Sequence, residues 1–104
     1  MKKIIATILA LCMILGLAGV ANAEATTLTM WTFIAQHQEF YESMAKLWNE
    51  QNPDRQIDLQ VTTIGYDDMH NKYKIALQAD EGAPDLCDVE LGQFPNVLTF
   101  SDQL

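Results

Sequence analysis

The sequence predicts an α/β fold built on parallel strands. Three observations predict it. Apolar stretches read alternately as strand and helix from Leu28 to Phe100. The helical links are long enough for right-handed crossovers between parallel strands. The first stretch is apolar on both faces, as in an interior strand of a covered sheet, while the second alternates strictly, as at an edge.

Leu28-Thr29-Met30-Trp31-Thr32-Phe33 is the first predicted strand. A turn through Ile34 leads into a helix from about Gln36 to Asn52. Phe40, Tyr41, Met44, Ala45, Leu47 and Trp48 recur at steps of three and four and form its apolar face. Glu39, Glu42, Lys46, Asn49 and Glu50 form the solvated one. Pro53 stops the helix. Ile57 to Thr62 is the alternating second strand. After Gly65-Tyr66, Asp67 or Asp68 is expected to cap a second helix, where an acid also suits the helix dipole. Met69, Tyr73, Ala76, Leu77 and Asp80 share a stripe of that helix, and His70 is assigned to its solvated face. Gly82 is expected to close it at C′, with Pro84 forbidding continuation. Leu86 to Glu90 is a third short strand, and Phe94 to Phe100 begins a third helix.

The chain opens with Met1-Lys2-Lys3, the uncharged run Ile4–Val20 and then Ala21-Asn22-Ala23. This is the layout of a secretory signal peptide, residues 1–23, with cleavage expected after Ala23. No twin arginine is present. Cys12 lies inside the apolar run behind bulky Leu11, so it does not read as a lipid-attachment cysteine and would leave with the signal. Cys87 then remains alone, which excludes an internal disulfide. Residues 24–104 hold all 14 acidic residues and only four of the six basic ones, a net charge of −10 against −8 for the whole sequence. Such a surface repels nucleic acid and anionic membranes. A piece of 81 residues would bury only about 60% of its unfolded surface as an independent domain, and the sequence reads as the start of a larger one.

No Gly-x-Ser-x-Gly elbow, Walker loop, His-Glu-x-x-His or Cys-x-x-Cys occurs. The two histidines, His37 and His70, fall on different elements and lack metal-ligand spacing. No cofactor or metal is expected. Two positions are predicted to meet outside the carboxyl ends of the strands, where α/β sheets bind ligands. One is the turn after the first strand, with Phe33, Gln36 and His37. The other follows the third strand, with Glu90 and Gln93. Carboxylates and amides pair with hydroxyls, and aromatic faces pack on the apolar faces of pyranose rings. The mixture suits a sugar. Trp31 reads more readily as core, Cys87 as a buried small apolar residue, and Asp88 as pointing to the other side or pairing with a helix.

Several stretches carry a resemblance: Leu28 to Phe33, Trp48-Asn49-Glu50-Gln51-Asn52-Pro53, Ala76-Leu77-Gln78-Ala79 and Gly82-Ala83-Pro84-Asp85. Together they resemble the extracellular solute-binding proteins, family 1, of bacterial ABC sugar importers. Tyr66-Asp67-Asp68-Met69-His70-Asn71-Lys72 and Gly92-Gln93-Phe94-Pro95-Asn96 resemble the branch that binds lactose or arabinose-containing oligosaccharides. The resemblance implies the N-terminal βαβαβ part of one lobe of a two-lobed type II periplasmic binding protein, with the first strand between the second and third. It implies sugar contacts at Phe33 to His37 and at Glu90. It further implies a monomeric, non-enzymatic, periplasmic receptor that delivers sugar to membrane permease subunits. Glu24 stands where many Gram-positive relatives carry a lipid-attached cysteine. A secreted carbohydrate hydrolase with two carboxylates across a cleft, or a small independent adhesion or scaffold domain, are the alternatives.

Overall fold

The computed structural model describes residues 24–104. The expected signal segment, with Cys12 in it, lies outside the described residues. Strand β1 (Thr26–Thr32) is followed by helix α1 (Ala35–Gln51), strand β2 (Ile57–Thr63) and helix α2 (Tyr66–Ala79). A two-residue strand β3 (Leu86–Cys87), a short helix α3 (Phe94–Leu98) and a 3-10 turn (Ser101–Gln103) complete the order. The three strands are parallel in the order β2-β1-β3, so β1 is the central strand. Thr26 to Thr32 align with Ile57 to Thr63, and Met30 and Trp31 align with Leu86 and Cys87.

Side chains of a strand alternate between its faces, and that alternation divides the molecule into two layers. Met30 and Thr32 are buried towards α1. Trp31 turns the other way, where it packs with Phe33, Ile64, Cys87, Val89 and Phe100 around a core of Met69, Tyr73, Leu77 and Val97. The core therefore sits between the sheet and α2. The stripe expected on α2 is the buried one, through Met69, Tyr73, Ala76 and Leu77. Asp80 instead leaves the helix in the left-handed region, at φ 52°.

The other layer departs from expectation. Phe40, Met44, Leu47 and Trp48 are exposed, Phe40 by 57%, and no residue of α1 is fully buried. The half-buried residues of α1 are His37, Gln38, Tyr41, Ala45 and Asn49. Polar groups win this face because they bond the sheet. Asn49 Nδ2 donates to the Ile57 carbonyl and Asn49 Oδ1 accepts from the Ile57 N–H, both at 2.8 Å. Asn49 thus pins α1 to the start of β2 and is not on a solvated face.

Two end signals are also corrected. The residue before α2 is Gly65, and no side chain caps the helix. Asp67 and Asp68 lie within the first turn, where they act on the dipole rather than as caps. The helix ends at Asp80, whose N–H reaches the Ala76 and Leu77 carbonyls, two residues before Gly82. Gly82 does take a positive φ of 79°, in the turn towards β3. Strand β3 is shorter than the Leu86–Glu90 expected. One further bond, from the Asp88 N–H to the Trp31 carbonyl, extends the pairing before the chain swings away.

Candidate functional site

Because the strands are parallel, β1, β2 and β3 all release the chain at the same edge. Phe33 follows β1, Gly65-Tyr66 follows β2 and opens α2, and Glu90 lies three residues past β3. These segments converge. The Phe33 ring meets the Tyr66 ring edge-on at 5.3 Å, the His70 ring at 5.1 Å and the His37 ring at 6.0 Å. Tyr66 donates its hydroxyl to Glu90 Oε2 at 3.1 Å, and Gln93 Nε2 lies 3.5 Å from the same hydroxyl. The Gly92 N–H holds Glu90 Oε2 at 2.7 Å. A Cβ on residue 92 would stand 2.8 Å from that oxygen, so only glycine lets the carboxylate fold back this closely.

Four of the five expected residues, Phe33, His37, Glu90 and Gln93, therefore surround one mouth, with Tyr66 at its centre. Gln36 lies exposed in the first turn of α1, and its side chain makes no hydrogen bond among the described residues. His37 faces two ways. Its ring touches Phe33, while its Nδ1 is 2.6 Å from Asp88 Oδ2, leaving Nε2 as the nitrogen able to turn to a ligand. Asp88 also accepts from the Thr32 hydroxyl at 2.8 Å, so it pairs with a helix and fastens the end of β1 to α1. Burial first, and the Asp88 charge second, push the nearby Tyr41 phenol above its usual range.

Two residues at this mouth were not singled out in the sequence. Tyr66 reads as part of a turn, yet a helix opening at the end of β2 places its ring over the strand ends. His70 is only 3% exposed, which overturns its assignment to a solvated face. Its place four residues after Tyr66 and three before Tyr73 was the available signal, since these positions share one side of a helix.

Cys87, behind the mouth, has its thiol pushed up to about 12 by burial first and the Asp88 charge second. At neutral pH it is a thiol, and the thiolate is the reactive form. No group of three or more His, Cys, Asp or Glu placed to hold a metal ion occurs among the described residues. A concavity of about 520 Å³ lies elsewhere, around the outer edge of β3. Its lining is mainly apolar, with Asp88 the charged member. The mouth at the strand ends is the stronger candidate, because donors, acceptors and ring faces converge there. No helix among the described residues is long and apolar enough to cross a membrane.

No family model and no solved structure matches the chain. Two curated relatives do. An arabinooligosaccharide-binding protein of Bacillus subtilis strain 168 is 43% identical across 98% of this chain. A protein of the same name from Halalkalibacterium halodurans is 48% identical across 77% of it. Both are named for binding and not for a reaction. The chain spans 25% of the first relative's length, and the match spans 18% of the second's. The chain is thus a homologue of arabinooligosaccharide-binding proteins, within the ABC solute-binding family, over a segment that makes up a quarter or less of their length.

Proposed function

We propose that residues 24–104 form the opening part of one lobe of an extracytoplasmic sugar receptor. Its ligand is an arabinose-containing oligosaccharide or one of similar shape. One observation carries the reading: the chain of hydrogen bonds from Gln93 through Tyr66 to Glu90, set beside the Phe33 ring at the carboxyl ends of parallel strands. A carboxylate accepts strongly from sugar hydroxyls, an amide both donates and accepts, and an aromatic ring covers the apolar face of a sugar. The proposed contacts are Phe33, Gln36, His37, Glu90 and Gln93, joined by Tyr66.

The remaining parts of the proposal rest on the relatives' greater length and on the leader-like opening. A second lobe supplies the facing contacts and closes on the sugar about a hinge. The loaded form docks on membrane permease subunits, and residues 1–23 direct export and are removed. The ligand leaves unchanged.

Titration calorimetry on the complete protein with arabinotriose, lactose and maltotriose tests the reading. Heat of binding is expected with arabinotriose or lactose. Glu90→Gln is expected to weaken it about 10-fold or more, since a bond to a charged acceptor is lost. Absence of heat with all three sugars overturns the proposal, and so does release of reducing sugar from them.

A further inference from the structure

His70 is a buried titratable group that sugar contact does not use. Both of its ring nitrogens are engaged. Nδ1 lies 2.6 Å from the Tyr66 carbonyl oxygen, which can only accept, so Nδ1 carries the proton. Nε2 accepts the Glu90 N–H at 3.0 Å, so Nε2 carries none. The ring is therefore a neutral imidazole of one tautomer. It is wedged against Phe33 at 5.1 Å and Tyr66 at 4.6 Å. This is its link to the mouth: Glu90, which follows a strand of only two residues, has its backbone held by a side chain and not by a sheet ladder.

We infer that neutral His70 positions Glu90 for ligand, and that protonating His70 releases it. A proton on Nε2 would set one N–H donor against another, and the Glu90 amide would have to turn away. The carboxylate beyond it would then leave Tyr66 and the mouth. The inference rests on Glu90 being a ligand contact, as proposed above. The titratable groups facing the imidazole are the Tyr66 phenol from its own helix and Glu90 from the loop after β3. His37, paired with Asp88, reaches the same Phe33 ring from α1.

The test uses the complete protein and two readouts. The first needs no sugar. Nitrogen NMR of the imidazole is expected to show the proton on Nδ1 at neutral pH, and the Glu90 amide resonance is expected to move as His70 takes up its proton. The second is arabinotriose affinity from about pH 8 to 5, the range over which histidines change charge. Wild type is expected to weaken on acidification. His70→Gln can offer Oε1 to the Glu90 N–H and does not titrate. It is expected to stay within about 3-fold of wild type at pH 8 and to lose the His70 part of the pH dependence. His70→Asn reaches the Tyr66 carbonyl but not Glu90, and is expected to bind about 10-fold more weakly throughout. His37→Gln removes the other histidine; as a change at a proposed contact it is expected to weaken binding across the range, and to leave the His70 part of the acid loss in place. A proton on Nε2 at neutral pH, an unmoved Glu90 amide, or an unchanged acid profile in His70→Gln overturns the inference. If no sugar binds at any pH, the proposed function fails on its own, and the Glu90 amide alone decides whether His70 positions it.

Discussion

Asp85, in the Gly82-Ala83-Pro84-Asp85 turn, latches β3 to the middle of the sheet. Its Oδ2 accepts the Thr29 N–H at 2.8 Å and the Thr29 hydroxyl at 3.0 Å, and its own N–H returns to that hydroxyl at 3.1 Å. The Thr29 backbone N–H first, and its hydroxyl second, hold the Asp85 carboxyl below the usual value of 3.8. A carboxyl lowered by folding stabilises the fold above its unfolded pKa, and the contribution is lost as pH falls through the lowered value. Asp85→Asn is therefore expected to flatten the acid limb of stability below about pH 5. Urea unfolding of the complete protein at a series of acid pH values reads this directly, and equal slopes in the two proteins would refute it. At this scale the sequence was legible where chemistry follows position along the chain. Phe33, Glu90 and Gln93 stand just after strands and could be picked out. Tyr66 and His70 were not, because their places at the mouth depend on how α2 lies over the sheet, and the spacing of Tyr66, His70 and Tyr73 was the one hint. Polarity alone sent His70 to the wrong face, and only its two bonding partners explain its burial.

Among the elements, α1 shows how a helix can be located correctly and turned the wrong way. Its span was readable from spacing and from Pro53, and its observed limits, Ala35 and Gln51, differ from expectation by one residue at each end. Its apolar stripe does not face β1 and β2. Hydrogen bonding decides the rotation: Asn49 clamps Ile57, His37 meets Asp88, and Gln38 Oε1 accepts from the Thr63 hydroxyl at 2.6 Å. These three contacts lie along one side of the helix, and no pattern of apolar residues announces them. Asn49→Ala removes a donor and an acceptor from the start of β2, and is expected to cost about 1–2 kcal/mol. Urea unfolding of the complete protein measures it. A loss below about 0.5 kcal/mol, ordinary for a surface substitution, would show that the clamp contributes little. Strand β3 errs the other way. Leu86 to Glu90 reads as one extended run, yet only two residues pair, because the Glu90 N–H goes to His70 and not to β1.

Over the molecule as a whole, parallel alternation was legible, and the central place of β1 came with the family resemblance. Spacing gives crossovers but does not say on which side of the first strand the third will lie. Both outer strands have an unpaired edge among the described residues, and they differ in character. The side chains of β2 are half polar, as its alternation foretold. β3 is short and apolar, with Leu86 45% exposed and an apolar concavity curling around it from both faces. Unpaired apolar edges pair with other chains. Residues 24–104 produced alone are expected to self-associate, with sedimentation that depends on concentration, and Leu86→Lys is expected to reduce it. A monomeric fragment at all concentrations would argue against this.

The bare rim of β3 also sets a timetable for biogenesis. β1, α1, β2 and α2 can close on one another as soon as they have emerged, since each finds its neighbour nearby in the chain. The rim has no such neighbour among the described residues and is free to meet a stranger. A holding chaperone guarding the newly made protein would find an open strand edge to shield at Leu86.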